Sequence, residues 1–97
     1  MSDFKDKVAV VTGSSRSIGR AIALALARRG CAVTVNYSKS RDEADEVVKT
    51  IEEMGGKAVA VQCDVSKREK VEAMFKATLD AFGKVDILVN VAGIAMR

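Results

Sequence analysis

Four short Val-rich runs, separated by segments of helical period, constrain this chain more than any other feature of it. They are residues 8–11 (VAVV), 32–35 (AVTV), 58–61 (AVAV) and 85–89 (VDILV). Three of the four hardly alternate with polar residues. Strands covered on both faces read this way, which points to a parallel sheet. The first intervening segment, residues 18–29, is Ala-rich and stops at Gly30, a residue suited to closing a helix. The second follows Ser40-x-x-Glu43, aligns Ala44, Val47, Val48, Ile51 and Met54, and ends at Gly55 and Gly56. The third opens with Ser66-x-x-Glu69, aligns Val71, Met74, Phe75, Leu79 and Phe82, and ends at Gly83. Both openings have capping-box spacing, and each helix has one apolar stripe to lay on a sheet.

Strand and helix in alternation, joined by right-handed crossovers, predict an α/β fold. It is a doubly wound parallel sheet of four strands in the order 3-2-1-4 with three helices. Residues 1–97 are expected to belong to a single, incomplete domain, with no linker, low-complexity stretch or repeat beyond the β-α unit itself.

Composition excludes several functions. The chain has no His, so Ser/His and Cys/His nucleophilic sites and the common zinc sites are closed to it. No metal site is expected. With 48% apolar residues and a net charge of +3, it can offset its ordering entropy by burial, so disorder is not expected. Its charges are interspersed and its aromatics, Phe4, Tyr37, Phe75 and Phe82, are scattered. Nucleic acid is therefore not an expected partner. No apolar run approaches the ~20 residues that span a bilayer, and the start has no apolar signal core, so a cytoplasmic protein without a membrane partner is expected. Cys31 and Cys63 lie in or beside apolar runs and read as buried thiols.

In an open parallel sheet, ligands bind beyond the carboxyl ends of the strands where the strand order reverses, here between strands one and four. The loop leaving strand one is TGSSRSIG, residues 12–19, and it leads directly into the first helix. A helix N-terminus with free N–H groups binds phosphate, and small residues let the backbone approach it. A P-loop would need Gly-x-x-x-x-Gly-Lys-Ser/Thr, which is absent, and the long-chain spacing Gly-x-Gly-x-x-Gly is not met either. A phosphoacceptor receiver would want acids where this chain has Val11 and Thr12. On the loop alone, a plain turn with no ligand stays open.

Taken together, the motifs carry a resemblance. TGSSRSIG is similar to the TGxxxGxG glycine motif of the short-chain dehydrogenases/reductases. Cys63-Asp64-Val65 resembles the family's Asp-Val step, and Asn90-Val91-Ala92-Gly93 its Asn-Asn-Ala-Gly motif. With FGKVDILVN at residues 82–90, the chain most resembles bacterial-type 3-oxoacyl-[acyl-carrier-protein] reductases. The resemblance implies a Rossmann-type fold, truncated to its cofactor-binding half. It also implies a dinucleotide held by Gly13, Ser14, Ser15, Arg16, Ser17, Ile18 and Gly19, with Ser38 at the second strand. Asp64 and Val65 would contact the adenine, and Asn90 and Ala92 would support the sheet beside the cofactor.

There are two departures from the family pattern. Ser17 replaces the middle glycine of the motif; if that position requires φ > 0, serine costs on the order of 1 kcal/mol. Weakened cofactor affinity is expected, although the hydroxyl also offers a phosphate donor. Val91 replaces the second Asn of the other motif. At the end of strand two, where NAD sites usually carry an acid, the chain has Asn36-Tyr37-Ser38. Arg16, Lys39 and Arg41 could neutralise a 2′-phosphate, so NADP(H) is favoured over NAD(H).

The family's catalytic Ser, Tyr and Lys lie beyond residue 97 in its members, so no catalytic residue is assigned here. Tyr37-Ser38-Lys39-Ser40-Arg41 is a decoy, with Arg where the family has Lys. Strand four would be an unpaired edge, predicting self-association through it. Three readings follow: the cofactor-binding part of an NADP(H)-dependent reductase of 3-oxoacyl-type carbonyls, a non-catalytic nucleotide-binding or self-associating module, and a structural protein with an empty loop.

Overall fold

The structure, a computed structural model, describes residues 4–15 and 17–91. Its elements run β1 (Val8–Thr12), α1 (Ser17–Arg28), β2 (Ala32–Tyr37), α2 (Arg41–Glu53), β3 (Ala58–Gln62), α3 (Arg68–Phe82) and β4 (Ile87–Asn90). The four strands form one parallel sheet in the order β3-β2-β1-β4, as the alternation predicts. β1 is the central rung: Val10 pairs with Thr34 on one side and Leu88 on the other. All five of its residues are buried, which explains its lack of polar alternation.

Alternation along each strand sends side chains to two separate cores. Ala9 and Val11 of β1, with Val33 and Val35 of β2, pack against Ala23 and Ala27 of α1 and Ala44, Val47 and Ile51 of α2. On the other face Val10 and Cys63 meet Met74 of α3, flanked by Val71 and Phe75. Burying a side chain such as Val47 or Ile51 contributes about 1.5–3 kcal/mol. Both cysteines are buried and free, and burial pushes both thiols above the usual range.

Three local expectations are corrected. Ser40 occupies the N-cap position of α2 but makes no side-chain cap bond. α3 starts after Lys67, because Ser66 turns back to Asp64: its hydroxyl and its N–H both donate to Asp64 Oδ1, at 2.6 and 3.0 Å. An acid two residues upstream outcompetes the helix end for that serine. Of the apolar stripe drawn on α3, Leu79 is 48% exposed, while Thr78 is fully buried. The Thr78 hydroxyl is satisfied by Met74 O at 3.0 Å and by Thr34 Oγ1 at 2.8 Å, so a polar pair takes a position the apolar pattern would not choose.

Candidate functional site: the carboxyl end of the sheet

β1 delivers the chain to Thr12, whose hydroxyl donates to Asn90 Oδ1 at 2.9 Å and ties the carboxyl ends of β1 and β4 together. The turn to α1 then needs left-handed backbone twice, at Gly13 (φ 61) and at Ser17 (φ 58). Glycine adopts such a φ freely, whereas serine costs about 1 kcal/mol there, so the condition attached to Ser17 by its sequence is met. Gly19 is required for a different reason. A Cβ there would lie 2.7 Å from the Gly13 carbonyl carbon and 2.9 Å from Ser14 Cα, so only glycine lets α1 start this close to the turn.

Asn36 organises the turn. It is 2% exposed, and its Oδ1 accepts from Gly13 N–H at 2.9 Å. Its backbone N–H donates to Ser14 Oγ at 2.9 Å, and its carbonyl accepts from Ser14 N–H at 3.0 Å. Ser14 is fully buried, and its hydroxyl also donates to Val11 O at 2.6 Å. The Gly13 and Ser14 amides and the Ser14 hydroxyl are therefore taken up within the protein. The first N–H groups of α1, which a helix cannot satisfy internally, stand next to a first turn containing no acid, an arrangement that suits an anion.

Beside the turn is a cavity of about 300 Å³, lined by Gly13, Ser15, Asn36, Tyr37, Ser38, Lys39, Ser40, Cys63, Asp64 and Val65. It brings together Gly13, Ser15, Ser38, Asp64 and Val65, residues that the sequence placed at a cofactor from three separate loops. Ile18, 64% exposed, and Ser17 lie at the start of α1 outside the cavity lining. Asn90 stands at the end of β4, next to Thr12. Arg16 and Ala92 lie outside the described residues. The Ser66 hydroxyl and N–H hold the Asp64 carboxyl below its usual range. Lys67 and then Lys39 favour the same charged form.

Sequence reasoning missed Tyr37, Ser40 and Cys63 as cavity walls, and Asn36 as the residue behind the turn. A polar residue at the end of a Val-rich strand was the available signal for Asn36. A larger hollow, about 610 Å³, lies at the amino end of the sheet and includes Lys7, Arg28, Lys57 and Lys84. It brings together none of the predicted site residues, and its cations suit the carboxyl ends of the three helices there. Among the described residues no group of His, Cys, Asp or Glu could hold a metal, and no helix is long and apolar enough to cross a membrane.

The short chain dehydrogenase family matches residues 7–97. A 3-oxoacyl-[acyl-carrier-protein] reductase of Synechocystis is 50% identical over 94 residues, covering 97% of this chain and 38% of the relative. A short-chain dehydrogenase/reductase homolog of Bacillus subtilis is 49% identical over 89 residues, covering 92% of this chain and 82% of the relative. Among solved structures, a short chain dehydrogenase from Burkholderia cenocepacia in complex with NADP superposes with a TM-score of 0.87 at 44% identity, over 90% of this chain and 36% of that one. A 7α-hydroxysteroid dehydrogenase complexed with NADH gives 0.85 at 37% identity, over 90% of this chain and 34% of that one. The chain thus spans less than two fifths of the Synechocystis relative and of both structures.

Proposed function

The chain belongs to the short chain dehydrogenase family, and from that membership we propose that it is the dinucleotide-binding part of an NADP(H)-dependent oxidoreductase of the 3-oxoacyl-[acyl-carrier-protein] reductase type. The observation that carries the reading is the cavity at the carboxyl end of the sheet, where the glycine turn, the end of β2 and the end of β3 converge. The residues fit a dinucleotide: Gly19 brings α1 close under the turn, leaving the N–H groups of residues 17–19 to face a diphosphate. Asp64 and Val65 form the adenine side, and Asn90 supports the sheet beside the cofactor. Bound NADPH supplies a hydride for a carbonyl carbon. The Ser, Tyr and Lys of the chemistry are assigned to no residue of this chain.

The NADP(H) preference rests on Lys39 at the cavity wall beside Ser38 and Ser40, with no acid at residues 37 and 38 to repel a 2′-phosphate. Self-association through the β4 edge and a cytoplasmic location complete the proposal. Leu88, exposed on β4, supports a second reading, a nucleotide-binding or self-associating module without catalysis. Titrations with NADPH and NADH, followed by nicotinamide fluorescence, test both. We expect saturable binding, tighter for NADPH, and no oxidation of NADPH when an acetoacetyl substrate is added to this chain alone. Absence of a saturable signal with either nucleotide overturns the oxidoreductase reading and the nucleotide-binding form of the second, leaving self-association alone, and turnover by this chain overturns the assignment of catalysis elsewhere.

A further inference from the structure

We propose that Asn36 is a positioning residue for dinucleotide binding, fixing the glycine turn through an amide that must both accept and donate. The inference rests on the dinucleotide reading above. Asn36 Oδ1 accepts from Gly13 N–H at 2.9 Å, while Nδ2 faces the carbonyl oxygens of Cys63 and Val61 at 3.3 and 3.4 Å. One buried side chain thus joins the turn that would hold the diphosphate to the end of β3 that would wall the adenine. Gly13 is in the left-handed region, where a glycine has little intrinsic preference. Its orientation is set by a hydrogen bond instead. An acid at residue 36 would point into this network and not at a ribose, because the strand alternation that buries Thr34 also turns residue 36 inward.

Asn36→Asp tests the donor half with almost no change of shape. The carboxylate can still accept from Gly13 N–H, but it sets a lone pair against the Cys63 and Val61 carbonyls. Burial and that repulsion raise its pKa, and a protonated carboxyl restores one donor. Among the described residues, the titratable groups around the cavity are Tyr37 and Lys39 on the β2 side and Cys63 and Asp64 on the β3 side. Asp64 pushes a new carboxyl up and Lys39 opposes it. The turn itself contributes no titratable group through residues 13–15.

The readout is calorimetric titration of NADP⁺ into the wild-type chain and Asn36→Asp at pH 8 and pH 5.5, taken as the affinity ratio at each pH. The ratio cancels titration of the 2′-phosphate. We expect the variant to bind about tenfold more weakly at pH 8 and within about threefold of wild type at pH 5.5. A variant that binds like wild type at both pH values, or is weakened equally at both, overturns the proposal. If wild type itself binds no NADP⁺, the dinucleotide reading fails, and positioning for that ligand fails with it. Amide exchange of Gly13 in the wild-type chain then reports separately on the network, as it does if the variant does not fold. Protection well above that of an open turn supports the Asn36 lock, and exchange at the open-turn rate overturns it.

Discussion

On the side of the sheet covered by α1 and α2, Val11, Val33, Val35, Val47 and Ile51 are fully buried. On the side covered, among the described residues, by α3 alone, the buried cluster is Val10, Cys63 and Met74, while Leu79 on α3 is 48% exposed and Leu88 on β4 is 55% exposed. The difference is one of widths. A helix is about 10 Å across and strands are about 4.8 Å apart, so one helix cannot shield a four-stranded face, which needs two. Among the described residues α3 lies over β3, β2 and β1, as the Met74 cluster and the Thr34–Thr78 pair show, and none covers the outer face of β4. Hydrophobic side chains are thus not equivalent in this fold.

Substitutions should reproduce that asymmetry. Ile51→Ala, in the doubly covered core, should lower unfolding stability by about 2–5 kcal/mol in urea denaturation; a loss under 1 kcal/mol would contradict the assignment of the main core to that face. On the α3 side, Thr78→Val should cost about 1–3 kcal/mol despite added apolar surface, because it leaves the buried Thr34 hydroxyl without its partner. At the exposed start of α1, Ser17→Gly should gain about 1 kcal/mol by removing a serine from φ 58. A drop in melting temperature for that variant would show that the hydroxyl makes a compensating bond.

At the β4 edge, the Asp86 carboxylate is held below its usual value, first by the Val8 N–H and then, against desolvation, by Lys84. A depressed carboxylate contributes stability above its unfolded value of about 3.9, and that contribution is lost as pH falls through the lower folded value. Asp86→Asn should therefore flatten the acid limb of a stability profile below about pH 4; an unchanged limb would show that other carboxylates, Asp64 among them, account for it. The smallest effect on stability, within about 0.5 kcal/mol, is expected for Leu88→Lys. Its consequence should appear in sedimentation, as reduced self-association, and an unchanged size distribution would remove β4 as the associating edge.

Most of the architecture was legible because its signals are local. Val-rich runs without alternation, Ala-rich or striped helices and glycine stops each depend on neighbours within a few residues. The glycine turn was legible for the same reason, since residues 12–19 are contiguous. The α3 stripe was less so: periodicity identifies a face, but the way the helix crosses the sheet decided that Thr78 goes in and Leu79 out. Ser66 has the spacing of a helix cap, and only the path of the chain showed Asp64 within reach of it.

What the sequence determined by itself was the order of elements, the parallel sheet and the chemistry available at the end of β1, because these follow from propensity, period and residue type. Tertiary structure alone decided which groups remain for a ligand. Asn36 and Ser14 are polar residues beside a turn, and sequence cannot distinguish a side chain facing a cofactor from one bonded to the backbone of two neighbouring strands. That choice depends on contacts between residues 22 to 27 positions apart. Only folding brings such groups within the 3 Å at which a hydrogen bond forms.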